Sequence, residues 1–342
     1  MRSPTRVDSL SDNHLLPPDG TARAGGSRII WLATGMLLVS ACAVAAGLYY
    51  MRQEALRTGE RLNQSLAHVI EEQTSRTLQT TDQRLLLALS QLKTLRAART
   101  LNEASARELL RDQIRDLPFV RAIWVLDAQG LIQYDSDEGN IGLPLQDREY
   151  FQAYRNRPGL GLHVSAPVRS RTTGSWLTTA SRPIRGADGA LEGVIAAAVE
   201  APYFEQLWRG IDLGAEGAVA LFRRDGVLMM RSPHDEQSVG KVFTSLPLFT
   251  EHLERGPTGT YATRSTFDGI DRISSYRTLA YYPELIVVVG RTRQALLGPW
   301  QRFAMLASLL WLGAVVSLAL VLALLYRQLL RRRNSELLFR QL

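Results

Sequence analysis

The chain has 342 residues, of which 46% are hydrophobic and 21% charged, enough to build more than one packed core and too apolar for a disordered protein. Its net charge of +7 is not gathered into a basic stripe with interleaved aromatics, so nucleic acid is not an expected partner. A single cysteine, Cys42, rules out a disulfide framework, and five histidines without ligand spacing give no metal centre; no cofactor is expected.

Residues 1–28 contain Pro4, Pro17, Pro18, Gly20, Gly25 and Gly26 and few apolar groups, and they read as a disordered cytoplasmic lead. Ile29–Tyr50 is an uninterrupted apolar run without a charged residue, and Phe303–Tyr326 is a second. Each is long enough for a membrane helix, since about 20 helical residues cross a hydrocarbon core of about 30 Å. The first run exceeds the about 7–15 residues of a cleaved signal core, so it is expected to stay as an anchor. After the second run come Arg327, Arg331, Arg332, Arg333 and Arg340 against Glu336 alone; the lead carries Arg2, Arg6, Arg23 and Arg28 against three aspartates. Short basic flanks remain cytoplasmic. Both termini are therefore expected inside a bacterial inner membrane, with residues 51–302 outside, in the periplasm.

From Met51 to about Ala98 there is no proline and only Gly59, while Leu62, Leu66, Val69, Ile70, Leu78, Leu85, Leu89 and Leu92 recur near helical spacing. This predicts one long stalk helix with a stripe available to a domain or to a second subunit. A further helix over Ala104–Asp116 stops before Pro118. The periodicity then shortens to that of strands: Ala122–Leu126 and Leu131–Tyr134, joined by a turn at Asp127-Ala-Gln-Gly130. A helix at 147–155 precedes three strands at 162–168, 175–184 and 191–200, the last two joined by Asp188-Gly189. The order suits a five-stranded antiparallel sheet with helices on one side.

The pattern then repeats. Val125-Leu-Asp-Ala-Gln-Gly130-Leu-Ile is echoed by Leu221-Phe-Arg-Arg-Asp-Gly226-Val-Leu, and Ile141-Gly142 by Val239-Gly240. A helix at 246–253 and strands at 259–266, 272–279 and 285–291 follow. The glycine landmarks, offset by 96 and 98 residues, predict two tandem copies of one module. The fold class is thus α+β: a long N-terminal helix and two antiparallel-sheet modules, flanked by two transmembrane helices.

Three stretches resemble the double Cache family, the tandem PAS-like extracytoplasmic sensors of bacterial histidine kinases and diguanylate cyclases. They are Asp147-Arg-Glu-Tyr-Phe151; Ser181-Arg-Pro-Ile184 with Asp188-Gly189 and Gly193-Val194; and Asp225-Gly226 followed by Arg231-Ser-Pro233. The resemblance implies a membrane-distal module at about 99–210, a membrane-proximal one at about 211–295, and a ligand between the distal sheet and the helix opening at the Asp-Arg pair. Arg148, Tyr150 and Phe151 then fall at the pocket: Arg148 either pairs with a ligand carboxylate or is structural, and the two aromatics wall the site. Asp147 suits the N-cap of the helix. Trp176 either closes the pocket or packs in the core; Ser170 supplies a polar contact at a strand end; Arg182 either anchors the helix or lies outside. Amino-acid-binding relatives hold the ligand ammonium with an acidic residue on the last strand of this module, where this chain has Ala198; Glu200, two residues on and on the same strand face, is a candidate replacement. The departure favours a small carboxylate over an alpha-amino acid.

The sequence contains no cyclase signature, phosphoacceptor histidine helix, phosphate loop or nucleophile elbow, so no enzyme is expected in this chain. Arg333–Leu342 resembles the lead-in helix to a cytoplasmic signalling domain. Two readings follow. One is the input half of a sensor histidine kinase or diguanylate cyclase, a homodimer bound to membrane lipid and coupled to a cytoplasmic output. The other is a stand-alone membrane-anchored ligand-binding or scaffold module acting through a separate partner.

Overall fold

The computed structural model describes residues 20–171, 174 and 176–339. The chain divides into two compact bodies: one is Ala55–Gly298, and the other joins the segments that end at Glu54 and begin at Pro299. In the second body, α1 (Gly20–Ala97) and α6 (Arg293–Phe339) are each long and apolar enough to cross a membrane. Trp300 Nε1 donates to the Leu48 carbonyl at 3.0 Å, and Trp311 Nε1 to the Ser40 hydroxyl at 3.3 Å. Cys42 is exposed there. Helix α1 starts nine residues ahead of the apolar run, so residues 20–28 are helical; no proline interrupts the chain between Gly20 and Ala97. The rest of the lead, residues 1–19, lies outside the described residues.

In the body Ala55–Gly298, α1 continues as the stalk, and α2 (Glu103–Ile114) turns back under a capping box in which Asn102 and Ser105 satisfy each other's backbone N–H. The first module is a sheet of β1 (Val120–Asp127), β2 (Ile132–Asp135), β3 (His163–Val164), β4 (Val168–Arg169), β5 (Trp176–Arg185) and β6 (Leu191–Val199), in the order β2-β1-β6-β5-β3. The strand expected at 162–168 is split into β3 and β4, both paired to β5, giving six strands. Helix α3 (Glu149–Asn156) lies between β2 and β3 in the chain; α4 (Ala201–Arg209), which strand and turn signals did not suggest, buries Phe204 and Trp208.

The second module has β7 (Ala218–Arg223), β8 (Leu228–Ser232), β9 (Thr258–Arg264), β10 (Asp271–Thr278) and β11 (Leu285–Thr292), in the order β8-β7-β11-β10-β9. A π-helical turn, Leu248–His252, runs into the short α5 (Leu253–Arg255). The two sheets share one topology, and the repeat extends to individual glycines. Gly130 and Gly226 adopt φ of 82° and 89°; a Cβ on Gly130 would stand 2.6 Å from Gln146 Cβ, and one on Gly226 2.8 Å from Thr244 Cγ2.

Strand alternation separates two cores in each module. Ile123 and Val125 of β1 face the stalk and α2, packing with Leu85 and Leu92, while Ala122, Trp124 and Leu126 face α3. Likewise Val219 and Leu221 of β7 meet Ile70 and Leu78, and Ala220 and Phe222 turn the other way. Buried polar groups tie the stalk to both modules. Asn63 Nδ2 donates to the carbonyls of Ile273 (2.9 Å) and Val289 (3.1 Å), Glu71 accepts from Ala280 N (3.1 Å), and Arg182 binds Asp82 through two nitrogens.

Candidate functional site

On the α3 side of the first sheet lies a cavity of about 60 Å³, room for several waters or a small ligand. Its floor is Ala122 and Trp124 from β1 with Leu177 and Thr179 from β5; one end is Ile132 and Asp135 from β2; the roof is Leu145, Arg148 and Tyr150, with Ser170 beyond β4. These residues meet because β1 and β5 both flank β6, so side chains in phase across three strands share one face.

Arg148 is half-buried, and among the described residues its hydrogen bonding is a long 3.4 Å contact from Nη2 to the Arg169 carbonyl. Most of the guanidinium's donors are thus available to a second group. Asp135 is buried: its carboxylate accepts from Asp137 N at 2.8 Å and Asn140 Nδ2 at 3.0 Å, and burial, outweighing those bonds, raises its pKa above the ordinary value. Arg121 Nε is buried without a hydrogen-bond partner among the described residues, although Arg121 Nη1 is held by Asp137 at 2.7 Å, and the buried Trp124 Nε1 faces the Tyr150 hydroxyl. An unpartnered buried N–H is costly unless something fills the role, so the cavity offers donors to an incoming acceptor.

Of the six residues singled out in the sequence, Arg148, Tyr150 and Ser170 line this cavity together. The other three lie elsewhere. Phe151 is fully buried in the core beneath α3, because its neighbour Tyr150 takes the cavity side of the same helical turn. Trp176 is covered by the Arg169 guanidinium at 5.2 Å, and its ring stands 3.5 Å from where a Cβ on Gly240 of the second module would be. Arg182 is committed to Asp82 of the stalk. Nor does Asp147 cap α3: the N-cap position is Arg148, without a side-chain cap bond, and Asp147 pairs with Arg171 at 2.6 Å. Glu200 follows the end of β6 and occupies the N-cap position of α4, so it cannot replace an acid at Ala198 on the cavity face.

Sequence reading did not find Asp135, Trp124 or Arg121. Asp135 ends a short strand within an acidic run, Asp135-Ser-Asp-Glu138, that reads as loop polarity. Arg121 is out of phase with Ala122 and Trp124, and reaches the cavity where the β1–β6 register shifts between Val120 and Ala122.

Residues 201–290 match the family described as a histidine kinase sensor domain, dCache_1-like. The crystal structure of the extracellular domain of rpHK1S-Z16, described as a histidine kinase, is 31% identical over 71% of this chain and 98% of that one, with a TM-score of 0.63. The same fold occurs in the periplasmic sensory domain of the Campylobacter jejuni chemoreceptor Tlp1 (12% identity; 72% of this chain and 99% of that one; TM-score 0.58). It also occurs in the ligand-binding domain of the Pseudomonas fluorescens chemoreceptor CtaA in complex with L-isoleucine (16% identity; 72% and 98%; TM-score 0.54). Among curated proteins nothing matches the chain. Two tandem sheets of one topology, strung on a stalk helix and joined to helices fit to span a membrane, together with identity above 30% across almost a whole sensor domain, lead to one conclusion: the chain belongs to the double Cache family of histidine kinase sensor domains.

Proposed function

We propose that this chain is a transmembrane receptor that binds a small carboxylate in the first-module cavity and passes occupancy to a cytoplasmic output, as the input half of a sensor histidine kinase or diguanylate cyclase. The observation that carries the reading is Arg148: a half-buried guanidinium at a cavity where, among the described residues, Arg121 Nε also lacks an acceptor. A carboxylate suits a planar guanidinium that donates two parallel hydrogen bonds, and the enclosing Tyr150 and Leu177 strengthen the pairing by excluding water. Arg148 is also the N-cap residue of α3, and the next residue, Glu149, is bound to Arg223 of the second module. Ligand seated on Arg148 would thus bias a helix already tied to the following module. In this reading the sensor lies in the periplasm, the receptor works as a homodimer in the lipid bilayer, and ligand shifts the two spans relative to each other.

A second ligand reading has its own observation. Asp135, buried in the same cavity, offers a place for an ammonium group, so an amino acid would meet Asp135 at one end and Arg148 at the other. The CtaA domain, of the same fold, was solved with L-isoleucine.

Thermal shift and calorimetry on the full chain in detergent, with small carboxylates and with amino acids, test both. Arg148→Ala should weaken binding of any carboxylate by about 2–4 kcal/mol, roughly 30- to 1000-fold. Asp135→Asn should weaken only ligands that carry an amine. Full binding by the Arg148→Ala variant moves the site elsewhere; a much lower melting temperature of that variant without ligand makes Arg148 structural.

A further inference from the structure

The second module contains a cavity of its own, about 70 Å³, on the equivalent face of its sheet. Matching strand register shows how the two differ. In the first module Trp124 pairs with Asp135 and Ala122 with Ala198; in the second Ala220 pairs with Arg231 and Ala218 with Gly290. Thr179 lies opposite Ala198 and Ser274 opposite Gly290, so Leu177 and Arg272, each two residues earlier, also correspond. Across the repeat, the acid Asp135 is replaced by the base Arg231 and apolar Leu177 by Arg272. At the same time Trp124 shrinks to Ala220 and Ala198 to Gly290.

Both arginines are inside: their side chains are 7% and 4% exposed. One carboxylate, Asp268, serves both. It accepts from Arg231 Nη2 at 2.6 Å and from Arg272 Nη1 and Nη2 at 2.7 and 3.0 Å. Burial alone would raise its pKa, but the Arg272 hydrogen bonds hold it far below the carboxylate range, so it is an anion. Two buried cations against one anion leave a charge of +1. Asp235, which also feels Arg231, sits near the surface and is occupied by the Ser238 hydroxyl and Gln237 N. Arg231 spends one further N–H on the Pro233 carbonyl and Arg272 one on Glu216, which leaves each guanidinium with unused donors. The Arg231 guanidinium also lies 4.9 Å from the Phe267 ring centroid, a cation–π contact that offsets part of the charge; the rest is expensive to keep buried without an anionic partner. Gly290 is part of the arrangement, for a Cβ there would stand 2.9 Å from Arg272 Cδ. Phe222, Leu246 and Val288 supply apolar wall, while Ser274 and the Thr263–Thr266 edge, with the exposed Arg264, supply polar lining.

We propose that this second cavity is a separate binding site for a short-chain monocarboxylate, its carboxylate received by Arg231 and Arg272 and its alkyl end by Phe222, Leu246 and Val288. The site is independent of the first-module ligand and makes the sensor bivalent, with one input per module.

The test is calorimetry with thermal shift on the full chain in detergent, in an Arg148→Ala background so that the first cavity does not contribute. Sodium acetate and sodium propionate are the probes, with sodium chloride at matched ionic strength and sodium benzoate as a carboxylate too bulky for the space. Acetate or propionate should bind saturably and raise the melting temperature, while chloride and benzoate do not. Arg231→Gln should weaken that binding at least about tenfold. Since that variant also disturbs the Asp268 cluster, Ala220→Leu provides a second, neutral arm that fills the floor and should abolish binding while leaving the charges in place. The proposal is overturned if neither probe binds better than chloride, if benzoate binds as well as they do, or if Ala220→Leu binds acetate as the parent does.

Discussion

Glu149 shows how one residue joins the two modules. Its carboxylate accepts from Arg223 Nη1 at 2.5 Å, faces His163 Nε2 at 3.1 Å and accepts from Ala166 N at 3.0 Å, and Arg223 is in turn clasped by Asp225. Burial pushes Glu149 up, yet the His163 hydrogen bond and the Arg223 charge prevail and bring it down to about 2. A lowered folded pKa means stability that is present above the unfolded value of about 4.5 and is lost as pH falls from there toward 2. The side chain is 37% exposed, so solvent screening trims its worth to about 1 kcal/mol. Glu149→Gln should therefore lower the melting temperature at pH 7, less so near pH 3, and have little effect at pH 2 and below. An equal loss at both pH values in thermal unfolding would assign Glu149 a packing role without the charge.

At the scale of elements, the stalk has two apolar faces with different fates. Ile70, Leu78, Leu85 and Leu92 are buried against the sheets and α2, so the stripe read from the sequence is largely consumed within the chain. Leu62 and Val69, two turns apart, remain about half exposed, as do Leu86 and Leu87. That outward ridge is where a parallel copy of the stalk would pack. With Cys42 first replaced by Ser, cysteines at Leu62 and Val69 should crosslink between copies in native membranes, whereas one at Ile70 should not. A crosslinking profile that is flat along the helix would remove the dimeric stalk. The shared turn glycines Gly130 and Gly226 were plain in the residue types, because local backbone geometry demands them, whereas the capping box at Asn102 emerged only in the structure.

For the whole molecule, the decisive asymmetry is the arginine cluster Arg327–Arg333 following the second apolar run. Positively charged flanks resist translocation, so the proposed topology has both termini on the cytoplasmic side and the sensor body outside. A reporter that works only in the cytoplasm should be active when fused after Arg333, and an export-dependent reporter should be active when inserted at Gly186 in the β5–β6 turn. Activity in the reverse pattern would overturn the receptor topology.

The sequence by itself determined most of the elements, though not α4 or the split of β3 from β4, and their order and duplication, since apolar spacing and turn glycines are local signals that survive divergence between the copies. It also pointed to Arg148, Tyr150 and Ser170, which share a cavity because the motif around them lies within one short segment and the strand beside it. Only the tertiary structure decided the rest. Phe151 and Tyr150 are neighbours in the chain, and which of them faced the cavity depended on how α3 sits on the sheet. Asp135 and Trp124, or Arg231 and Ala220, become neighbours through strand register, which no residue type in either strand announces. The commitment of Arg182 to Asp82, 100 residues away in sequence, likewise follows from docking the stalk against β5. The substitutions that place Arg231 and Arg272 in the second cavity where the first has Asp135 and Leu177 were present in the sequence throughout, but their meaning required pairing across the sheets, a long-range property that chain order does not encode.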